Sequence, residues 1–343
     1  IKDFMTIFQN LTAAIFGMAG TSLTTEEISF FTRTKPFGFI LFARNCESPE
    51  QIKKLVSQLR EVSWRENLPI LIDQEGGRVA RLKPPYFPEF PTAGAFAELA
   101  RTDMEAAKKA TYLNARLIAH ELYNLGITVN CAPLADVPIE GSHNIIGDRA
   151  FGKTAMQVGE LASCFAKGLA DGGVVAVLKH IPGHGRAFAD SHLELPIVET
   201  SLEILRETDF IPFKKLSHLP MAMTAHVLFT AIDAQKMATV SASAISLIRD
   251  ELNFDGLLMS DDLSMKAMQG DFTQRTRDVL AAGCDVVLHC NGDMVEMLAI
   301  SQGLIPLTGK SLERAEKSML GAGKAKEFDV ENARITVNSL LNI

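Results

Sequence analysis

The chain has 343 residues, of which 47% are hydrophobic and 22% charged. It is therefore long enough to bury a large core and too apolar to be disordered. The net charge of −7, with no basic run, excludes the electrostatic footprint of a protein that binds nucleic acid or an anionic membrane surface. No apolar run reaches the ~18 residues that a membrane span needs.

The cysteines and the N-terminal segment indicate the compartment. Five cysteines, at positions 46, 131, 164, 284 and 290, form an odd set without a C-x-x-C pair, which predicts buried free thiols in a reducing environment. The first twenty residues carry an early aspartate and lack the pattern of a signal peptide. We therefore expect a cytoplasmic protein.

Eight short apolar runs alternate with amphipathic stretches along the chain. The amphipathic stretches 49–67 and 104–126 place apolar residues at i, i+3 and i+4, as helices do, and Gly126 suits a helix C-terminus. Apolar strands alternating with helices indicate a parallel sheet covered by helices. The runs lie at residues 15–20, 38–43, 69–75, 128–137, 174–180, 221–227, 256–262 and 284–290.

Eight strand–helix units favour an α/β fold of the (β/α)8 TIM-barrel type. No G-x-G-x-x-G follows the first strand, which disfavours a doubly wound nucleotide-binding sheet. No linker or charge run marks a boundary, and the tail from about residue 304 has the pattern of additional helices. We therefore predict a single domain over residues 1–343 with extra C-terminal helices.

Polar side chains follow several of the apolar runs directly. In a barrel of this type the carboxyl ends of the strands open onto one face, where active sites lie. Each residue alone could simply cap the next helix, but their common position favours a shared site. They are Asp73, Gln74, Glu75, Asp136, Lys179, His180, His226, Asp261 and Asp262.

The stretch KHIPGHGRAFADSH, residues 179–192, contains three histidines after the fifth run. One interpretation is a metal site, because His180 and His184 have the i, i+4 spacing of zinc-binding helices. Pro182 and Gly183 between them make a helix unlikely to form here. A metal-dependent barrel hydrolase acting on amides or phosphoesters therefore remains the alternative rather than the first choice.

An acid–base site is the second interpretation of this stretch. Asp190 and His192 flank a serine, and a carboxylate beside an imidazole fixes the tautomer and raises the basicity of the ring. Histidine suits proton transfer at neutral pH. Asp261 or Asp262 could supply the facing nucleophile or base. A hydrogen-bonded loop pair with no catalytic role, or a binding protein without turnover, is the remaining possibility.

Four blocks resemble the bacterial β-N-acetylglucosaminidases of glycoside hydrolase family 3. KHIPGHGRAFADSH is similar to the long loop signature of that family, and MSDDL to its nucleophile strand. LIDQEGGRVARL and NIIGDRAFG resemble two further family segments, and all four occur in family order between residues 71 and 263. GFILFARN near residue 40 extends the resemblance.

The resemblance implies a retaining exo-glycosidase that removes non-reducing terminal β-linked N-acetylglucosamine without a cofactor or metal. It implies that Asp261 is the nucleophile and that His192, paired with Asp190, is the acid/base. It further implies a sugar-binding set in which Asp73 accepts hydrogen bonds and four basic side chains donate them. These donors are Arg81, Arg149, Lys179 and His180.

Four further residues have expected supporting roles. We expect Glu75 to pair with Arg78 beneath the site, and Asp262 to cap the helix after its strand, because adjacent strand residues point to opposite faces. His184 is expected to brace its loop.

The family resemblance also implies a natural substrate. It is a cell-wall fragment in which N-acetylglucosamine is β-linked to 1,6-anhydro-N-acetylmuramic acid, with or without its peptide, in peptidoglycan recycling. We expect a monomer whose partner is this small carbohydrate, with neither nucleic acid nor membrane as a ligand.

Overall fold

The structure is a computed structural model that describes residues 10–141, 145–187, 191 and 194–343. Eight parallel strands form a closed barrel. These strands are β1 (Thr12–Gly17), β2 (Pro36–Leu41), β3 (Ile70–Ile72), β4 (Val129–Asn130), β5 (Val175–Ile181), β7 (Met221–Thr224), β9 (Leu257–Asp262) and β10 (Val286–His289). Their order around the barrel is β1-β10-β9-β7-β5-β4-β3-β2. The predicted barrel is confirmed, and each strand overlaps one of the eight apolar runs.

Two short strands lie outside the barrel. β6 (Ile197–Val198) and β8 (Leu228–Phe229) pair in parallel as a separate two-stranded sheet. They belong to the connections that follow the fifth and sixth barrel strands, on the side where the polar strand ends lie.

Helices follow the barrel strands and cover the outside of the barrel. The helix predicted over 49–67 ends at Ser63, where Trp64 takes a left-handed conformation. Gly126 has a φ of 78° two residues after the next long helix ends, which agrees with its predicted role. The α-helices are α1 (Thr25–Thr34), α2 (Pro49–Ser63), α3 (Ala93–Leu99), α4 (Met104–Asn124), α5 (Ala155–Asp171), α6 (Leu202–Glu207), α7 (Phe210–Lys215), α8 (Ala242–Ser246), α9 (Phe272–Ala282), α10 (Met294–Ser301), α11 (Gly309–Ser318) and α12 (Val330–Leu341).

Short polar side chains at the helix starts fix where the helices begin. Thr24 and Glu27 form a capping box at α1, in which each side chain accepts a hydrogen bond from the backbone of the other. Ser48 and Asp103 cap α2 and α4, each by accepting a hydrogen bond from a backbone N–H of the first helical turn. Glu27 also accepts from the backbone N–H of Ala19 at 2.8 Å, so this cap ties the loop after β1 to α1.

The barrel strands are buried on both faces because alternate side chains enter two different apolar clusters. In β9, Leu257 and Met259 belong to a cluster inside the barrel, whereas Leu258 packs with the surrounding helices. β1 repeats the pattern, with Ile15 inside and Phe16 outside. This double burial explains why the strands read as continuous apolar runs rather than as alternating ones.

The first of the predicted C-terminal helices closes the amino end of the barrel. Ala315 in α11 and Met319 directly after it join the cluster inside the barrel. Asp285, just before β10, anchors this helix through hydrogen bonds from Ser311 (2.7 Å) and Arg314 (3.2 Å). Side chains from α11 and Met319 therefore fill the barrel interior at its amino end.

Within the described ranges, no helix combines the length and the apolar content needed to cross a bilayer.

Ala315 and Met319 together form a plug at the amino end of the barrel, and we predict that this plug contributes strongly to stability. Met319 is 3% exposed, so Met319→Ala should lower the free energy of unfolding by about 2–5 kcal/mol, as is usual for a buried Met. Leu320, its neighbour, is 52% exposed, and Leu320→Ala should change that free energy by less than ~0.5 kcal/mol. Urea unfolding of both variants measures the difference, and equal losses would contradict the role of the plug.

Candidate active site

Strand alternation brings three polar side chains to the mouth of the barrel. Leu71, Val177 and Met259 all point into the barrel interior. The residues two positions further on, Asp73, Lys179 and Asp261, therefore point toward the same axis, one layer closer to the carboxyl ends of the strands. The sequence prediction that these strand ends converge is confirmed, because all three side chains line one cavity.

This cavity has a volume of about 390 Å³. Its floor is apolar where it meets the barrel interior, and its walls carry most of the polar residues predicted from the strand ends. The side chains that line it include Phe42, Asp73, Arg78, Arg81, Arg149, Lys179, His180, His184, Ser191, Asp261 and Asp262.

Asp73 lies at the centre of a compact group of charges. One of its oxygens accepts a hydrogen bond from Lys179 Nζ at 2.9 Å, and the other accepts from Arg81 Nη2 at 3.1 Å. Arg81 also stacks over the ring of Phe42, with 4.8 Å from Cζ to the ring centroid. Phe42 was missed as a site residue, since an aromatic residue ending an apolar run is hard to distinguish from core.

Glu75 holds two of the predicted sugar-binding cations from beneath. It receives two hydrogen bonds from Arg149, at 2.8 and 2.9 Å, and lies 2.6 Å from Lys179 Nζ. The predicted Glu75–Arg78 pair is wrong, because Arg78 instead donates to Asp148 at 3.2 Å on the exposed rim. Arg149 comes from the segment before α5, so its proximity to Glu75 could not be inferred from local spacing.

These contacts keep the whole group ionised. Burial would raise the pKa of the Asp73 carboxyl, but Lys179 and Arg81 hold that pKa below its usual value. Arg149 and Lys179 likewise hold the pKa of Glu75 well below its usual range against the effect of burial. The same pairings raise the pKa values of Lys179 and Arg149 although burial alone would lower them. The cavity wall therefore presents fixed charged donors and acceptors.

Asp136 organises the start of the histidine-rich loop. This carboxylate is fully buried and accepts from His180 Nδ1 at 2.8 Å. Its other oxygen accepts from the backbone N–H groups of His184 at 2.7 Å and His180 at 3.3 Å. Burial would raise the pKa of Asp136, but His180 and His184 hold it below its usual value. Sequence reasoning placed Asp136 among the strand ends without recognising these partners.

The glycines of this loop permit a very close approach to the segment after β4. A Cβ atom on Gly185 would lie 2.0 Å from the carbonyl oxygen of Val137, which no side chain can tolerate. Gly185 is therefore required by packing at this position.

His184 braces the loop, as expected. Its Nε2 lies 3.2 Å from Ser191 Oγ, and its ring packs edge-on against His180 with 5.6 Å between centroids. Burial, together with the neighbouring His180, lowers the pKa of His184 to about 4. Among the described residues, no three His, Cys, Asp or Glu side chains are arranged so that they could hold a metal ion, and Nδ1 of His180 is already bonded to Asp136.

Two adjacent carboxylates end β9, and both line the cavity. Asp261 is half-buried and accepts from the backbone N–H of Asp262 at 2.8 Å. Asp262 accepts from the backbone N–H groups of Ser264 and Cys290, both at 3.1 Å. The expectation that Asp262 caps a helix is wrong, because a turn follows β9 and Asp262 stabilises that turn. Asp262 also accepts from the Ser264 hydroxyl at 2.5 Å, so both of its oxygens hold the turn together.

His226 has a structural environment. Its ring is fully buried, with Nδ1 2.7 Å from Thr239 Oγ1 and Nε2 3.1 Å from the carbonyl oxygen of Asp262. It supports the end of β9 and does not line the cavity. His192 and Asp190, the predicted acid/base pair, lie outside the described residues. Ser191, the residue between them, is described and buried at the cavity edge.

Comparison with known proteins identifies the family. Residues 18–319 match the Glycosyl hydrolase family 3 N terminal domain. The chain therefore belongs to glycosyl hydrolase family 3 and is a glycoside hydrolase.

Relatives and solved structures agree with this assignment. The chain is 40% identical over 282 residues to a beta-hexosaminidase of Methylococcus capsulatus, which covers 81% of this chain and 82% of the relative. A beta-hexosaminidase of Pseudomonas aeruginosa is 36% identical over 287 residues, covering 83% and 84% of the two chains.

The fold of NagZ from Neisseria gonorrhoeae, solved in complex with N-trifluoroacetyl-D-glucosamine, superimposes with a TM-score of 0.87. It is 30% identical, and the match covers 97% of this chain and 99% of that one. A family 3 beta-N-acetylglucosaminidase from Paenibacillus is 28% identical with a TM-score of 0.81, covering 98% of this chain and 67% of that chain.

We predict that His184 makes stability fall as the pH is lowered. Its pKa is about 4 in the folded protein and near 6.5 in the unfolded chain, so the unfolded state binds more protons between these values. The stabilisation is complete above pH ~6.5 and is lost as the pH falls toward 4, a change of about 3 kcal/mol.

Urea unfolding of wild type and His184→Gln across this pH range measures that contribution. The variant should show a flatter dependence of the unfolding free energy on pH. His218→Gln, at an exposed histidine, should reproduce the wild-type dependence. Parallel curves for wild type and His184→Gln would contradict the prediction.

Proposed function

We propose that the protein is a retaining β-N-acetylhexosaminidase that removes a terminal β-linked N-acetylglucosamine. The observation that carries the proposal is the position of Asp261, which faces a cavity whose wall holds fixed, charged hydrogen-bonding groups. The relatives named beta-hexosaminidase and the Neisseria complex with a glucosamine derivative support the choice of sugar.

In the first step, an Asp261 carboxylate oxygen attacks the anomeric carbon of the bound sugar. The bond from that carbon to the glycosidic oxygen breaks as protonated His192 donates its proton to the leaving oxygen. The products of this step are the free aglycone and a glycosyl ester on Asp261.

In the second step, neutral His192 takes a proton from a water molecule as the water oxygen attacks the anomeric carbon. The ester bond breaks, Asp261 regains its carboxylate, and two inversions give retention. Asp190 would orient the imidazole and stabilise its charged form. Ser191, between these two residues in sequence, lines the same cavity as Asp261, which supports this assignment.

The charged wall is proposed to bind the sugar. Asp73 would accept hydrogen bonds from ring hydroxyls, and Lys179, Arg149 and Arg81 would donate to hydroxyl or N-acetyl oxygens. These groups are already held in place by one another, so little side-chain entropy remains to be lost on binding. His180 would present Nε2 to the sugar, since Nδ1 is bonded to Asp136. In a neutral ring this nitrogen accepts a hydrogen bond, so His180 would accept from a sugar hydroxyl rather than donate as the sequence resemblance implies.

The natural substrate is proposed to be a cell-wall fragment in which N-acetylglucosamine is β-linked to 1,6-anhydro-N-acetylmuramic acid, with or without its peptide. The enzyme is proposed to act on it as a cytoplasmic monomer. This proposal derives from the resemblance of the sequence motifs. Release of free N-acetylglucosamine from this fragment, followed by chromatography, tests it; an intact fragment in an assay that cleaves aryl glycosides would reject it. Family membership favours a glycosidase over the metal-dependent amide or phosphoester hydrolase.

We predict that Asp261→Asn abolishes turnover of an aryl β-N-acetylglucosaminide while the unfolding curve stays near that of wild type. The amide cannot form the ester, so retention of more than a tenth of the wild-type rate, a loss of less than ~1.4 kcal/mol, would contradict the assignment. A 2-fluoro glycoside, which slows ester breakdown, should add one sugar to the wild-type peptide that contains Asp261. Labelling of another peptide instead would also contradict it.

A second prediction concerns proton donation. His192→Ala should slow substrates with poor leaving groups far more than those with good ones, because only a poor leaving group needs the proton. The measurement is the dependence of kcat/KM on the leaving-group pKa across aryl glycosides. His218→Ala provides the matched control with an unchanged dependence. An equal loss across the series would remove His192 from this role.

A further inference from the structure

We propose that Asp136 is a positioning residue for sugar binding, because it holds the His180 ring so that Nε2 faces the cavity. The proposal rests on the proposed function, in which His180 contacts the sugar. Asp136 does not line the cavity itself, and we expect it to affect sugar binding through His180.

The geometry shows that Asp136 is directed at His180 from behind. Asp136 is fully buried and is absent from the cavity lining, whereas His180 lines the cavity. Its two oxygens accept three hydrogen bonds, two of them from the ring and backbone of His180 and one from the backbone of His184. One buried carboxylate thus fixes both the ring and the chain that carries it.

The chemistry of the pair determines which ring nitrogen carries the proton. An ionised carboxylate only accepts hydrogen bonds, so the His180 nitrogen 2.8 Å away must carry its hydrogen toward Asp136. In the neutral ring, Nε2 then presents a lone pair to the cavity. Ionisation of Asp136 despite its burial agrees with this arrangement.

Asp136→Asn changes this proton position with little change in shape. The amide oxygen can still accept from the His184 backbone, which leaves the amide nitrogen facing His180. That nitrogen is a donor, so Nδ1 must become an acceptor and the ring proton must move to Nε2. A sugar hydroxyl that donates to Nε2 in the wild type would then meet a competing donor.

The first experiment reads the ring directly by NMR. The full chain is labelled with ¹⁵N-histidine, and the His180 signals are assigned by their loss in His180→Gln. The wild type should show a proton on Nδ1, and Asp136→Asn should show it on Nε2. An unprotonated Nδ1 in the wild type, or ring signals that are unchanged in the variant, would overturn the proposal. The wild-type measurement decides even if the variant fails to fold.

The second experiment is a double-mutant cycle on aryl β-N-acetylglucosaminide turnover. Asp136→Asn alone should lower kcat/KM roughly 10- to 100-fold, the usual cost of losing the carboxylate partner of a functional histidine at metal sites. In a His180→Ala background the same change should lower kcat/KM by less than about a further twofold, because the ring through which Asp136 acts on the substrate is absent. Full additivity of the two losses would show that Asp136 acts through general stability and would overturn the proposal.

Asp285→Asn is the matched control for burial. Asp285 is 2% exposed and hydrogen-bonded to Arg249, Arg314 and backbone, but it lies at the opposite end of the barrel. It should lower the unfolding free energy and leave kcat/KM unchanged where the protein is folded. If the wild type does not cleave the glycoside, the proposed function fails by itself, whereas the NMR result still decides whether Asp136 sets the His180 tautomer.

Discussion

The mutual neutralisation of buried charges at the mouth of the barrel is the constraint on which the site depends. Asp73 and Glu75 would be unstable as isolated carboxylates at this depth, since removing a charge from water costs several kcal/mol even after relaxation. Lys179 lies between them and contacts both, so each position is tolerated only because the others are occupied. The resulting group is rigid and ionised before any ligand arrives.

Strand alternation determines which residues can join that group. The same two-residue period that fills the barrel interior with Leu71, Val177 and Met259 also directs Asp73, Lys179 and Asp261 toward the mouth. The same strand register therefore determines both the packing of the barrel interior and the position of the site residues. A one-residue slip in a single strand would exchange its polar end residue for a neighbour that points to the helices.

The sequence was sufficient for the barrel and for the strand-end residues, because both follow from periodicity and from the common direction of parallel strands. It was not sufficient for contacts between segments distant in the chain. Local spacing predicts an ion pair between Glu75 and the nearby Arg78, but the partner of Glu75 is Arg149, which is more than seventy positions away along the chain. Asp136 likewise ends an unremarkable apolar run, and only the folded chain brings it under His180. Asp262 shows the opposite error, in which a capping pattern was expected where the structure has a turn.

The plug of side chains below the cavity limits how a glycan can use this enzyme. Because α11 covers the lower end of the barrel and the interior cluster fills the space above it, the described residues close the cavity on the side of the barrel interior. A polymer therefore cannot thread through the barrel, which agrees with the proposed removal of terminal sugars. In the proposed mechanism, the sugar held by Asp261 lies deeper than the aglycone, so the aglycone would depart before the sugar.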